Sequence, residues 1–141
     1  MIVLDANIPL YAYGMPSPSQ KKAQVCVEEL FAGSQPVGLP WQTIAAFLRI
    51  STNPAVPGAR LMSEAVHEVE LWLQQPSVRT LNATDDHWQV LRRMVIEGQA
   101  FGTLVSDAEI AALTIEHGGV LYTTDRDFTR FPGLRWKNPL A

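Results

Sequence analysis

The segment VLYTTDRDF, residues 120–128, changes from a strand-like pattern to a carboxylate-rich one. Its first three residues are apolar and predict a buried strand, because short apolar runs bounded by polar residues are typical of parallel sheets. Two threonines follow, and then Asp125 and Asp127 flank a single arginine. Paired carboxylates directly after a strand indicate either a tight turn, which aspartate favours, or a cation site at the end of the strand.

Short apolar runs recur along the chain and alternate with amphipathic segments. We expect strands at Ile2–Leu4, Val37–Leu39, Val78–Leu81, Val120–Thr123 and Leu134–Trp136. Strands that alternate with helices predict parallel βαβ units with helices on both faces of the sheet, which is an α/β fold. No internal repeat or linker interrupts this pattern, so we expect one domain over residues 1–141.

The helices are predicted from apolar spacing and from their start and stop signals. One follows Ser17 and stops at Gly33, and another spans Trp41–Ser51. A third begins at Ser63 with Val66, Val69, Trp72 and Leu73 on one face, and a fourth begins at Thr84 with Trp88, Leu91 and Val95 on one face. The last spans Ala108–Glu116, where Ser106 and Glu109 have the spacing of an N-terminal capping box.

Composition limits the classes of function. The chain has 141 residues, of which 47% are apolar, so it is long enough to form a real core. A formal net charge of -3 argues against a non-specific nucleic-acid binder, whose affinity comes mainly from phosphate contacts. A single cysteine, Cys26, excludes an internal disulfide and favours a reducing compartment. With no apolar run long enough to span a bilayer, a cytoplasmic protein is expected.

The aspartates are the candidates for chemistry. Asp85 and Asp86 are explained by the first turn of a helix, where negative charge is stabilising. Asp5 and Asp125 each end a strand, and ligands of open parallel sheets bind outside the carboxyl ends of strands. Asp107 opens the helix that leads to the strand before Asp125, so a right-handed crossover returns it to the same edge. If residues 125–127 are extended, Asp127 points to the same side as Asp125.

Carboxylates that converge repel one another and need a cation or protons to offset the repulsion. Oxygen ligands without neighbouring Cys or His favour Mg²⁺ or Mn²⁺ over zinc. The three histidines are explained by solvated helix faces and helix ends, and the sequence has no nucleotide-binding glycine loop. The pattern therefore favours metal-assisted hydrolysis of a nucleic acid. A phosphotransfer protein of the receiver or phosphatase type fits poorly, because it needs a lysine as partner of its acceptor aspartate. The only lysines are Lys21, Lys22 and Lys137.

Four motifs, in order, resemble the PIN-domain ribonucleases, and among them the VapC-type toxins of bacterial toxin–antitoxin pairs. They are MIVLDAN (1–7), AFLRISTNP (46–54), DAEIAA (107–112) and TTDRDF (123–128), and FPGLRW (131–136) trails the last of them. The resemblance runs nearly end to end. It implies a three-layer α/β/α sandwich on a central, mainly parallel sheet and a Mg²⁺- or Mn²⁺-dependent endoribonuclease. It also implies a homodimer and a VapB-type antitoxin partner.

The resemblance also implies roles for individual residues. Asp5, Asp107 and Asp125 match the metal-site acids of the family, and Asp127 matches a second acid of many members. Asn7 and Thr123 match groups that orient those carboxylates. Water activated by the metal would attack the phosphodiester bond of RNA.

One departure from the family pattern concerns the helix after the second strand, which often carries a further acid. Ile44 is expected at that position, and no acid lies between Glu29 and Glu64. One tight metal site is therefore expected, with a second only when substrate phosphate supplies ligands. The same departure leaves open a catalytically weak or inactive domain that binds RNA or protein. Arg49, Arg126 and Arg130 are candidates for phosphate contacts.

Overall fold

The protein is described over residues 1–141 by a computed structural model. Five strands form one sheet: β1 (Ile2–Leu4), β2 (Val37–Pro40), β3 (Val78–Leu81), β4 (Val120–Tyr122) and β5 (Trp136–Lys137). Six α-helices surround it: α1 (Asn7–Pro9), α2 (Gln20–Ala32), α3 (Trp41–Ser51), α4 (Met62–Leu73), α5 (His87–Glu97) and α6 (Leu104–Glu116). A π-helical segment, Leu10–Gly14, joins α1 to α2, and a 3₁₀ helix, Arg126–Arg130, follows β4.

Every strand pair in the sheet is parallel, in the order β3-β2-β1-β4-β5. The chain builds outward from β1 through β2 to β3, and then crosses to the other side of β1 to form β4 and β5. Ile2 is therefore paired with Val37 on one side and with Val120 on the other. The order reverses between β1 and β4, and a crevice for ligands is expected at their carboxyl ends.

Two apolar cores lie on opposite faces of the sheet, since successive residues of a strand point to opposite sides. Ile2 and Leu4 face a core that includes buried residues of α1 to α4, among them Phe47 and Trp72. Val3 faces a second core with residues of α5, α6 and the segment after β4. Helix layers on both faces of a parallel sheet confirm the predicted α/β/α sandwich.

The faces of two helices were predicted correctly only in part, since Leu91 and Val95 of α5 do pack against the second core. Helix α4 buries Ala65, Val69 and Trp72, whereas Val66 and Leu73 are exposed. In α5 the fully buried residue is Met94, and Trp88 is exposed. In each helix the fully buried stripe is narrow, and apolar residues beside it remain in solvent.

Helix α6 begins earlier than the sequence predicted. It starts at Leu104, and no side chain caps its N-terminus, so the predicted box of Ser106 and Glu109 does not form. Gly102, with a positive φ of 56°, turns the chain into the helix at this earlier point. Ser106 and Glu109 therefore lie within the helix and are free for other contacts.

Candidate metal centre

Three carboxylates meet at the crevice between β1 and β4. One carboxylate oxygen from each of Asp107, Asp125 and Asp127 lies within 4.8 Å of the others. Asp107 comes from the first turn of α6, and the other two come from the turn after β4. The crossover from β3 through α5 and α6 therefore brings together acids that are well separated in sequence.

The segment after β4 is a 3₁₀ turn, so the condition of an extended chain over residues 125–127 is not met. The backbone N–H of Asp127 donates to Asp125 Oδ1 at 2.8 Å, so Asp125 caps the short helix Arg126–Arg130. Phe128 in this helix is buried and packs against Phe131, with ring centroids 5.8 Å apart. One Asp125 oxygen therefore closes a turn, and both aspartates also belong to the acidic cluster.

Asp5 lies outside this group of three and is held beside it. Its Oδ1 accepts from the backbone N–H of Ala6 at 2.8 Å, and its Oδ2 accepts from the Thr123 hydroxyl at 2.7 Å. Burial raises the pKa of Asp5 above its usual range, against the opposing effect of these two hydrogen bonds. Asp5 and Asp107 line the same cavity, whose volume is about 330 Å³.

The Thr123 hydroxyl connects Asp5 to the turn that carries Asp125. Besides donating to Asp5, it accepts from the backbone N–H of Asp125 at 3.0 Å and from Asn7 Nδ2 at 3.2 Å. The Asn7 Oδ1 atom in turn accepts from the backbone N–H of Thr124 at 3.4 Å. Thr123 and Asn7 therefore lie where groups that orient the carboxylates were expected.

The environment of the acidic cluster changes the proton affinity of Asp107. The pKa of Asp107 is raised to about 6, chiefly by burial and then by the charges of Asp5, Asp125 and Asp127, while Arg130 acts in the opposite direction. The contribution of the three neighbouring charges shows that the carboxylates repel one another, and a bound cation would offset this repulsion. Its ligand atoms are all carboxylate oxygens, a donor set that fits Mg²⁺ or Mn²⁺.

Helix α3 forms the opposite wall of the cavity, and here the sequence assigned the wrong position. Ile44 is buried in the core beneath α3 and does not line the cavity. The α3 residues that do line it are Gln42, Thr43, Ala45, Ala46 and Arg49, none of which is a carboxylate. The expected absence of an acid on this helix therefore holds, but Ile44 is not the position at which it would act.

Glu109 is the cavity residue that the sequence reasoning missed. It lines the cavity with Asp5 and Asp107, and Gln42 Nε2 approaches its Oε2 at 3.4 Å. Because Glu109 follows Ser106 at the spacing of a capping box, it was interpreted as part of a helix cap and not as a residue of the cavity.

The three candidate arginines differ in position. Arg49 lines the cavity and is exposed. Arg130 donates from Nη1 to the backbone carbonyls of Gly98 and Gln99, at 3.0 and 3.2 Å, and so braces the loop between α5 and α6. Arg126 is exposed in the 3₁₀ helix and does not line the cavity. Arg49 is therefore the cation best placed for a ligand in the cavity.

None of the helices combines the length and apolar character that crossing a bilayer requires.

Comparisons with known proteins agree with this architecture. The family model described as PIN domain matches residues 2–134. Ribonuclease VapC37 of Mycobacterium tuberculosis is 35% identical over 142 aligned residues, covering 100% of this chain and 99% of the relative. Ribonuclease VapC48 of the same species is 34% identical, covering 97% of this chain and 96% of the relative.

Solved structures share the fold at lower sequence identity. VapBC2 from Rickettsia felis, bound to a DNA fragment from its promoter, superposes with a TM-score of 0.72 at 18% identity and covers 98% of each chain. VapC20 of M. tuberculosis, described as a sarcin–ricin loop cleaving toxin, gives a TM-score of 0.67 at 18% identity, covering 96% of this chain and 99% of that one. A family match over nearly the whole chain, together with VapC relatives aligned end to end, shows that the chain belongs to the PIN-domain family and, within it, to the VapC group.

Proposed function

We propose that the chain is a Mg²⁺- or Mn²⁺-dependent endoribonuclease and the toxic component of a VapBC-type toxin–antitoxin pair in the cytoplasm. The observation that carries this proposal is the cluster of Asp107, Asp125 and Asp127 at the point where strand order reverses. The relatives named ribonuclease VapC support RNA as the substrate. The reaction is hydrolysis of a phosphodiester bond.

Asp5, Asp107 and Asp125 hold the cation in this proposal, and Asp127 is the fourth carboxylate of the site. A bound Mg²⁺ or Mn²⁺ supplies Lewis-acid stabilisation of the phosphate and lowers the pKa of water. The chain contributes position: Thr123 fixes Asp5 relative to the Asp125 turn, and Arg49 provides positive charge at the cavity wall. With no carboxylate on α3, one tight cation site is proposed.

The direct test incubates the purified chain with a panel of structured RNAs in Mg²⁺, Mn²⁺, Ca²⁺ or EDTA. Cleavage in Mg²⁺ or Mn²⁺ that EDTA abolishes is the expected result, because the cluster binds hard divalent cations through oxygen. Sequencing of the new 5′ ends identifies the cut. If no metal supports cleavage of any RNA, the alternative of an inactive binding domain is favoured, and α3 without an acid is its physical basis.

Two partners complete the proposal. A VapB-type antitoxin is supported by the VapBC complexes among the structures that share the fold. A homodimer is proposed from the family resemblance. Co-purification with the product of the adjacent gene tests the first, and light scattering of the purified chain tests the second.

Replacing Thr123 by Val tests the connection between Asp5 and Asp125. Valine has a similar shape but can neither donate to Asp5 nor accept from the Asp125 N–H. We expect Mn²⁺ affinity, measured by titration calorimetry, to fall by about 10–100-fold, as for other groups that orient metal ligands. Thr129→Val is the matched control, because the Thr129 hydroxyl is exposed and donates only to the carbonyl of Arg126. Equal affinities in the two variants would contradict an orienting role for Thr123.

A further inference from the structure

Two tryptophans with similar hydrogen bonds have opposite environments. Trp72 is 2% exposed, donates from Nε1 to Glu68 at 3.1 Å and packs edge-on against Phe47. Trp41 donates from Nε1 to Asn82 Oδ1 at 3.0 Å, yet it is 49% exposed. Trp72 thus completes the core, whereas Trp41 is held in one orientation with much of its apolar surface in solvent.

Trp41 directly precedes a residue of the cavity wall. It is the first residue of α3, directly after β2, and the next residue, Gln42, lines the cavity with Asp5 and Asp107. The Thr43 hydroxyl donates to the carbonyl of Leu4 at 2.7 Å, which fixes the first turn of α3 against the end of β1. The indole therefore sits at the same edge of the sheet as the acidic cluster, on its β2–β3 side.

This placement suits an unpaired nucleotide base. Arg49 is the only cation that lines the cavity, and the formal net charge of the chain is -3, so phosphate contacts alone provide little attraction for RNA. Stacking on an aromatic ring needs no charge, and proteins that bind single-stranded RNA use it widely. A ring fixed by its N–H also loses little side-chain entropy when a base covers it.

We propose that the exposed face of Trp41 is a stacking platform for an unpaired base of the RNA substrate. The inference rests on the proposed ribonuclease function and adds to it a residue that recognises the substrate. The base belongs to the same RNA strand as the phosphate that is cleaved. Asn82 is a positioning residue, since it acts only through the indole N–H.

The first test measures binding without cleavage. The probe is a labelled single-stranded RNA of about 12 nucleotides, within the site sizes of single-strand binders, with 5-iodouridine at alternate positions. All variants carry Asp107→Asn to prevent cutting. Trp41→Ala is expected to weaken binding by about 5- to 150-fold, and Trp41→Phe, which keeps a ring, is expected to restore most of the affinity. Trp88→Ala is the matched control, because Trp88 is also exposed (67%) but belongs to α5, none of whose residues lines the cavity, whereas Trp41 belongs to α3, which forms one wall of it.

Salt dependence separates stacking from charge. Trp41→Ala should leave the slope of log affinity against log salt unchanged, because the ring neutralises no phosphate. Arg49→Ala should lower that slope by about 0.7, the value for one phosphate contact in a single strand. A changed slope in Trp41→Ala would count against stacking.

Photo-crosslinking gives a direct readout. Irradiation of the 5-iodouridine RNA should form an adduct on the peptide that contains Trp41. An adduct on Trp88 alone, or unchanged binding by Trp41→Ala, would overturn the platform. If Trp41→Ala binds RNA normally but loses the antitoxin or the dimer, the ring serves a protein contact and the platform is also refuted.

Failure of the platform is distinguishable from failure of the proposed function. Wild-type cleavage together with unchanged RNA binding by Trp41→Ala rejects the platform alone. Absence of both binding and cleavage in every variant, including the wild type, rejects the ribonuclease and the platform with it.

Discussion

Replacement of Asp107 by Asn should strongly reduce metal-dependent RNA cleavage. The loss should exceed the roughly 10–100-fold that follows mutation of a residue that only orients a metal ligand. Asparagine preserves the shape of the side chain but removes one negative charge from a cluster whose carboxylate oxygens lie within 4.8 Å. The measurement is the initial rate of RNA cleavage in Mg²⁺, and Asp5→Asn should behave in the same way. Asp85→Asn is the matched control, because Asp85 is exposed in the turn before α5. Wild-type rates in Asp107→Asn would refute the assignment.

The same variant provides its own check on folding through the pH dependence of stability. The pKa of Asp107 is raised to about 6, so between about pH 4 and pH 6 the folded chain retains a proton that the unfolded chain has released. Unfolding then releases a proton, and the free energy of unfolding of the metal-free wild type falls as pH rises through this window.

Asp107→Asn removes the ionisable group and therefore this loss of stability with rising pH. For a half-exposed carboxyl the effect is on the order of 1 kcal/mol after allowance for solvent screening. In EDTA, we expect the variant to melt about 3 °C above the wild type at pH 7 and to match it near pH 4. A lower Tm at pH 7 would show that the loss of cleavage reflects damage to the fold.

Phe128→Ala is expected to lower the free energy of unfolding by about 3–5 kcal/mol, the usual range for truncation of a buried phenylalanine. Phe128 is fully buried beneath the 3₁₀ helix and packs against Phe131. The cavity left by its ring also removes the support of the turn that carries Asp125 and Asp127. Denaturant unfolding in EDTA measures the loss of stability, and titration with Mn²⁺ measures the loss of affinity.

Phe101→Ala is the control for this variant. Phe101 is 74% exposed, so its truncation should change the free energy of unfolding by less than about 0.5 kcal/mol. Similar destabilisation by the two substitutions would contradict the packing role assigned to Phe128.

Local patterns in the sequence predicted most of the elements. The helix Trp41–Ser51 and the strands Ile2–Leu4 and Val78–Leu81 have the bounds expected from their apolar runs and flanking residues. These signals are local, because a strand or an amphipathic helix needs only its own periodicity to be recognised. The order of elements also predicted the parallel sheet, since strands that alternate with helices form parallel βαβ units.

Errors occurred where packing or backbone geometry overrides a local signal. The spacing of Ser106 and Glu109 suits a cap, but the turn at Gly102 starts α6 at Leu104 and leaves Glu109 in the cavity wall. Trp88 is apolar and correctly spaced for a buried face, but α5 buries Met94 instead. The first cause is local backbone geometry at Gly102, and the second is the packing of α5 against α6.

By itself, the sequence determined the class of fold and the set of candidate acids, because strand-ending aspartates and apolar periodicity are written in consecutive residues. Only the tertiary structure decided which acids meet. The crossover through α6 brings Asp107 to the turn that holds Asp125 and Asp127, while Asp5 stays beside them through Thr123. It also decided that Ile44 faces the core and that half of the Trp41 side chain is exposed to solvent. The physical reason is that side-chain convergence depends on strand order and helix rotation, which are set by burial of both faces of the sheet and not by any one segment.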